Sequence, residues 1–285
     1  MKGKEDPKQK YIRNYFLALD KNQHDPEIME IIKYFKKNLF NVFPYDFTTK
    51  YDPEEINVFA DELCGMKYVM HTGKKMYFPE EWDAKRIRVY YNGLCVEQDT
   101  NSPHRYETPD YIVSEGDVIA DIGAAEGFWA LTYAEKAAKI YLFECNTQWR
   151  QALAKTFEPW QDKTVIVNKY VSNVTEGDNI TIDDFINGDR INFIKADIEG
   201  MEIQMLEGAE KNLAVQPAIR LLLCTYHRKN DMAFIKEYLE KRNFIVEHSK
   251  RYMLFLPDKE LTEPFLRRGV ARATKIQDIS ATLLT

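Results

Sequence analysis

Two acids and two glycines pose the first chemical question. Residues 118–128 read VIADIGAAEGF, an apolar run that ends at Asp121 and then passes through Gly123 and Gly127 in the pattern D-x-G-x-x-x-G. Glycines at those places let the backbone turn tightly and approach a ligand with no Cβ in the way. Asp121 can accept hydrogen bonds from that turn or from an amine on the ligand. Glu144 closes the next apolar run, where a carboxylate commonly holds the two hydroxyls of a ribose. A dinucleotide calls for G-x-G-x-x-G, so that its pyrophosphate rests on a helix N-terminus. Here Ala125 stands in the place of the middle glycine, and Glu126 sets a negative charge beside the phosphates. S-adenosylmethionine carries no phosphate, and its amino-acid and ribose moieties suit carboxylates in these places. Asp121, Gly123, Ala125, Gly127, Phe128 and Glu144 are therefore candidate contacts for that cofactor. A nicotinamide nucleotide, and a glycine turn that serves only packing, are the readings it displaces.

Such a turn needs a sheet beneath it. After residue 110, short apolar runs alternate with amphipathic stretches, the signature of a parallel sheet covered by helices. The runs are Val118–Ile122, Lys139–Glu144, Val165–Val167, Ile191–Asp197 and Ile219–Thr225; the helical stretches are Phe128–Ala138, Thr147–Phe157, Met201–Leu213 and Asp231–Arg242. Phe244–Glu247 and Tyr252–Leu256 are too close for a helical crossover and predict an antiparallel hairpin at the C-terminal edge. Before residue 110 the texture differs. A helix is predicted over residues 26–39 behind Asp25-Pro26, a second after Pro53 carrying Ile56, Phe59, Ala60 and Leu63, and a hairpin over residues 67–78 turning at Thr72-Gly73. The division expected is an N-terminal α+β extension, residues 1–109, that serves as a lid or substrate cap, and a cofactor-binding domain over residues 110–285.

Residues 181–213 read TIDDFINGDRINFIKADIEGMEIQMLEGAEKNL. This resembles the FkbM family of S-adenosylmethionine-dependent methyltransferases. Thr181, Asp183 and Phe185 match the family's first segment. Lys195, Asp197, Glu199, Gly200 and Glu202 match the strand end, and Leu206, Gly208 and Ala209 match the helix. Ala196 departs from the larger aliphatic residue usual there, and Met201 replaces a small residue and is expected to narrow the pocket. The resemblance covers roughly residues 112–257. It implies a class I methyltransferase fold, α/β and Rossmann-like, mostly parallel with a C-terminal antiparallel hairpin, and it implies O-methylation, often of sugars or hydroxylated natural products.

Methyl transfer from a sulfonium is an in-line displacement, so the protein must position the acceptor and exclude water. An alcohol acceptor must also lose its proton, to a general base or with a metal that acidifies the hydroxyl. Asp197 and Glu199 end the fourth strand, and Tyr226, His227 and Arg228 end the fifth. Asp197, His227 and Glu199 are the catalytic candidates, with Asp197 also against the cofactor. A neutral His227 that takes the proton is preferred to a divalent ion on Asp197 and Glu199, because no further carboxylate follows the fifth strand. Gln98, His104, Arg105 and Tyr106, in the stretch Leu94–Tyr106, are candidate acceptor contacts on a loop ahead of the first strand. His24, His71 and His248 read as surface or packing residues. Arg267, Arg268 and Arg272 read as a solvated face, or as a cradle for an anionic acceptor such as a nucleotide-linked sugar.

The whole chain of 285 residues is 45% apolar and 29% charged, enough for a sizeable core and too apolar for disorder. Its net charge of −6 disfavours a nucleic-acid backbone as the main partner. No stretch approaches the roughly 18 to 20 apolar residues of a membrane span. The charged N-terminal stretch precedes no apolar h-region, and the four cysteines form no C-x-x-C pair. A cytoplasmic setting is expected, with a small hydroxylated, sugar-like acceptor as the partner. A non-catalytic S-adenosylmethionine-binding subunit of a glycan assembly system is the alternative.

Overall fold

Unbroken apolar strands can bury both faces only if layers cover both sides of their sheet. A computed structural model, describing residues 5–19, 23–186, 190–258 and 261–275, shows that arrangement. Helices α1 (Pro7–Leu19) and α2 (Pro26–Phe35) come first, then strands β1 (Phe59–Ala60), β2 (Lys67–His71) and β3 (Lys74–Tyr77), then α3 (Ala84–Glu97). The second region runs β4 (Val118–Ile122), α4 (Phe128–Thr132), β5 (Lys139–Phe143), α5 (Thr147–Thr156), β6 (Thr164–Val167), β7 (Tyr170–Val171), β8 (Asn179–Ile180) and α6 (Ile182–Ile186). It continues β9 (Phe193–Ala196), α7 (Glu202–Glu207), α8 (Glu210–Val215), β10 (Arg220–Cys224), α9 (Asp231–Glu240), β11 (Phe244–His248) and β12 (Val270–Lys275). The first four residues of the charged N-terminal stretch lie outside the described residues.

The central sheet has seven strands in the order β11-β12-β10-β9-β4-β5-β6. Only β12 runs antiparallel to its neighbours. The chain winds one way from β4 to β5 and the other way to β9, so the crevice above the C-terminal ends of β4 and β9 is the switch point where open α/β sheets bind ligands. Strand residues alternate between two cores. Ile119, Leu142, Phe193 and Leu222 join the N-terminal helices, α4 and α5 on one face; Ala120, Phe143, Ile194 and Leu221 join α6 to α9 on the other. Among the described residues no helix is long and apolar enough to cross a membrane.

The α/β sheet and the five parallel strands stand where the periodicity placed them, and the hairpin turning at Thr72-Gly73 is present. Several local expectations are corrected. The antiparallel partner of β11 is β12, not Tyr252–Leu256, which is irregular apart from a bridge between Met253 and Arg267. No helix follows Pro53 beyond one 3-10 turn over Pro53–Glu55, and Phe59 and Ala60 pair with β2 instead. Met201–Leu213 is two helices. Gly208 passes so close to the backbone of Ser172 that a Cβ would lie 2.0 Å from its carbonyl oxygen. The Asp183 carboxylate then starts α8 by accepting from Lys211 N and Asn212 N, each at 2.8 Å. The T-x-D and L-x-G-A segments are thereby two halves of one packing joint. The stretch Leu94–Tyr106 is not all loop: Leu94–Glu97 is the last turn of α3.

Candidate functional site

Gly123 fixes the geometry of the crevice. At φ +74° it lies so near Asp197 that an added Cβ would sit 2.2 Å from the Asp197 carbonyl oxygen. Only glycine lets the β4 turn and the β9 end approach this closely. A cavity of about 670 Å³ lies to one side and a chamber of about 170 Å³ to the other, and both are lined by Gly123, Ala125 and Asp197.

Glu144 stands in the larger cavity with Phe143, Asn146, Trp149, Lys169 and Met201. Its Oε2 accepts from Ala125 N at 2.9 Å and its Oε1 from Asn146 N at 2.7 Å, so it also pins the glycine turn to the start of α5. Half-buried and ionisable, it has lone pairs left for a diol. Gly127 has a different task. Its Cβ would strike Leu153 and Phe157 at 2.8 Å, so that glycine serves the seat of α4 and α5 on the sheet rather than a ligand.

The smaller chamber is lined by Tyr90, Leu94 and Glu97 of α3, by Asp121, Glu126 and Phe128 around the turn, and by Lys195, Tyr106 and Tyr226. Asp121 Oδ1 is 2.9 Å from Lys195 Nζ, which donates to Gly123 O at 3.1 Å. Burial opposes the charge on Lys195, but Asp121 and Asp197 outweigh it and hold the ammonium firmly protonated. Tyr90 Oη donates to Glu126 Oε2 at 2.7 Å.

Asp197 sits at the junction, directly after β9. Its carboxylate accepts from Tyr226 Oη at 3.0 Å and from Tyr106 Oη at 3.2 Å, and His227 Nε2 lies 3.3 Å away. Burial works against its charge, yet His227 and Lys195 hold the carboxyl well below the usual carboxylate range. His227 Nδ1 is 3.4 Å from buried Glu202, whose Oε1 accepts from Ile198 N at 3.0 Å. Glu202 thus closes the turn through Glu199 (φ +57°) and Gly200 (φ +88°) and grips the histidine from behind.

These contacts revise three expectations. Burial alone would favour neutral His227, but Asp197 and Glu202 push it up to about 10, so near neutrality it is an imidazolium with no free site for a proton. Glu199 turns outward with its side chain 88% exposed, 3.9 Å from His227 Nε2. Among the described residues the carboxylates close enough to share a cation with His227 are Asp197 and Glu202, not Glu199. In the loop, Gln98 and Tyr106 reach the chamber, Gln98 also shaping the loop by accepting from Tyr106 N at 3.0 Å. His104 is buried 3.9 Å from Asp197, and burial drives it down to about 4. Arg105 donates to Gln98 O and Glu107 O and lines a separate cavity. Neither lines the two cavities that meet at Asp197.

The arginines of the tail form neither a solvated face nor an anion cradle. Arg267 pairs with Asp258 at 2.6 Å, Arg268 with Glu27 at 2.7 Å, and Arg272 donates to Tyr106 O at 2.8 Å. His71 is a packing residue, 4.0 Å between ring centroids from Phe128. Tyr90, Glu97 and Glu202 were missed as site residues. The first two were legible: Ile87, Tyr90, Tyr91 and Leu94 stand at helical spacing behind Asp83, which caps α3 by accepting from Arg86 N at 2.7 Å. Glu202 was marked by the strand-end motif, but the fold alone turns it back to Ile198 N and His227.

Residues 169–246 match the methyltransferase FkbM domain. An FkbM methyltransferase structure from Methylobacillus flagellatus is similar at 18% identity and TM-score 0.46 over 69% of this chain; the match spans 56% of that protein's length. An rRNA methylase from Streptococcus thermophilus is similar at 18% identity and TM-score 0.38, covering 60% of this chain and 98% of the other. A precorrin-6y C5,15-methyltransferase from Geobacter metallireducens is similar at 16% identity and TM-score 0.38, covering 57% and 82%. No curated protein matches the chain by sequence.

Proposed function

We propose, from the premise that this chain carries an FkbM methyltransferase domain, that it transfers a methyl group from S-adenosylmethionine to a hydroxyl of a small, sugar-like acceptor in the cytoplasm. The observation that carries the reading is the pair of cavities joined at Asp197, one holding the ribose candidate Glu144 and the other a dense set of carboxylates. Adenosine belongs in the larger cavity and the methionine end in the chamber, which sets the sulfonium beside Asp197. Asn146, Lys169, Asn179 and Glu199 give the larger cavity a polar rim that suits a hydroxylated acceptor. The N-terminal extension, residues 1–109, acts in this reading as a cap, since α3 already walls the chamber.

The chemistry asks for a proton acceptor, not a strong base. As the acceptor oxygen takes the methyl, the sulfonium becomes a neutral thioether and the oxygen becomes a protonated ether. That species is a far stronger acid than any carboxylic acid, so an ionised Asp197 can accept its proton late in the step. Tyr106, Tyr226 and the His227 imidazolium hold the carboxylate in place and ionised; His227 is thus a positioning group.

One observation favours the second reading, a non-catalytic cofactor-binding subunit of a glycan assembly system: the protein's own groups already engage both oxygens of Asp197. A dehydrogenase is disfavoured, because Glu126 would meet the pyrophosphate. Calorimetry with S-adenosylhomocysteine, S-adenosylmethionine and NAD separates the cofactors, and NAD binding alone would end the proposal. Release of labelled methyl across free sugars, nucleotide-linked sugars and a tRNA separates enzyme from binder and names the acceptor class. Transfer to a hydroxylated small molecule is the expected result, and transfer to the tRNA alone would replace that acceptor assignment.

A further inference from the structure

The small chamber brings four carboxyl groups together around one lysine. Asp121 and Asp197 approach Lys195 from β4 and β9, Glu126 enters from the glycine turn and Glu97 from the last turn of α3. The remaining titratable groups that face it are Tyr90 on α3, Tyr106 on the loop and Tyr226 after β10, with His104, Cys224 and His227 behind them. Asp121 is 1% exposed, and apart from Lys195 no side chain donates to either oxygen. A buried carboxylate with open lone pairs, aimed into a chamber, calls for a cationic donor. Glu97 borders the same space with 38% of its side chain accessible.

We infer that Glu97 and Glu126, together with Asp121, form the subsite for the α-ammonium at the methionine end of the cofactor. This rests on the cofactor reading above and goes beyond it, because it gives α3 a direct part in cofactor choice. An ammonium offers three donors and one charge, which matches acceptors arriving from three separate elements. A ligand with adenine, ribose and thioether but no amino-acid end would leave the chamber unused.

Proton linkage follows from the burial. Burial, then the neighbouring charges of Asp197 and Glu126, raise Glu97 to about 8 against the pull of Lys195. Burial raises Glu126 to about 7 against the hydrogen bond from Tyr90 and the charge of Lys195. Near neutral pH much of this pair is protonated, and an arriving ammonium favours the ionised forms, so docking releases a proton to solvent. Affinity for an ammonium-bearing ligand should therefore climb with pH up to about 8 and then level off.

The experiment is calorimetry on the full chain with two probes, S-adenosylhomocysteine and 5′-methylthioadenosine, at about pH 6 to 8.5 and in buffers of different ionisation enthalpy. Glu97→Gln and Glu126→Gln keep the shape and remove the charge. The expected result is a loss of roughly tenfold or more for S-adenosylhomocysteine in either variant, with 5′-methylthioadenosine unchanged and only the first probe releasing a proton. Equal losses for both probes would show a packing role, and no loss for either would empty the subsite; each overturns the inference. Should the unmutated chain bind neither probe, the cofactor reading itself falls and takes the subsite with it.

Discussion

The two cavities that meet at Asp197 are built on opposite plans. The larger cavity, proposed for the ribose and therefore the open half, carries Glu144, which has backbone donors of its own at Ala125 and Asn146. The smaller chamber, proposed for the methionine end and therefore the closed half, is walled by α3 and concentrates Glu97, Asp121, Glu126, Lys195 and Asp197 around one space. A pre-satisfied acceptor can share a further hydrogen bond at little cost, whereas buried and under-donated carboxylates bind hard only when a cation arrives. The open half should therefore set affinity for any adenosine, and the closed half should decide which adenosine is retained.

The most damaging way to break this division is to remove the wall both halves share. Gly123→Ala would force a side chain at φ +74° and a contact of 2.2 Å with the Asp197 carbonyl oxygen. A strained φ and an overpacked contact together cost about 3 kcal/mol or more. Denaturant unfolding should show that loss, and both calorimetric probes should lose binding together. Normal stability with normal binding would show that the turn and the β9 end can separate freely.

Next in size is Asp197→Asn, which changes the junction and leaves both cavities standing. Turnover should fall about a hundredfold or more, the range for loss of a proton acceptor, while 5′-methylthioadenosine binds as before. The substitution also removes one of the two carboxylates that hold His227, so the imidazole should titrate well below about 10 when followed by NMR. The sign of the linked stability is fixed. A histidine raised in the folded state stabilises fully below its unfolded value of about 6.5 and loses that contribution as pH rises through about 10. The unmutated protein and the variant should thus differ most in stability near pH 6 and converge at alkaline pH. A rate profile with a limb near pH 6.5 that vanishes in His227→Gln would restore the neutral-histidine base.

A smaller loss sharpens the contrast. Glu144→Ala should weaken both probes by roughly ten- to a hundredfold, since both carry the ribose and a charge-assisted bond is worth about 1.5 to 3 kcal/mol. Losing the ties to Ala125 N and Asn146 N should also lower stability by about 1 kcal/mol. Selective loss of S-adenosylhomocysteine alone would move Glu144 to the wrong half.

The open half was legible in the sequence because its parts are local. Strand end, glycine turn and next strand end each carry their residue at a fixed place in a repeating unit, so Gly123 and Glu144 stand out without a structure, as does Asp121 where the turn borders the closed half. The closed half is assembled from afar. Glu97 reaches it from α3, whose spacing marks a helix behind Asp83 but not the chamber that its last turn faces. His227 was legible as a residue but not as a charge state: Glu202 starts α7, before β10 in the chain, and only folding turns it under the strand end that carries His227. The arginine tail misled for the same reason, since Asp258, Glu27 and the Tyr106 carbonyl that hold it are set by tertiary contact.

The smallest expected effect concerns the junction and a metal. Asp197, Glu202 and His227 place one ligand atom each within 4.8 Å of one another, close enough for a divalent ion by distance alone. Their chemistry points elsewhere. Binding through His227 requires a neutral nitrogen, and the two carboxylates that would be fellow ligands are the groups that hold its proton. Glu202 is also committed to Ile198 N, which closes the turn that sets Asp197 in place. A hard ion such as Mg²⁺ would have to displace that proton and loosen that turn while shedding most of its water. We therefore expect EDTA to leave turnover within about twofold, and Mg²⁺ or Mn²⁺ to add nothing, because a proton acceptor of this kind needs no metal. Loss of activity with EDTA, restored by either ion, would make the clamp a metal centre and remove Asp197 as the proton acceptor. Glu199→Ala supplies the complementary measurement. With its exposed side chain outside the clamp, it should change neither cofactor affinity nor the response to EDTA.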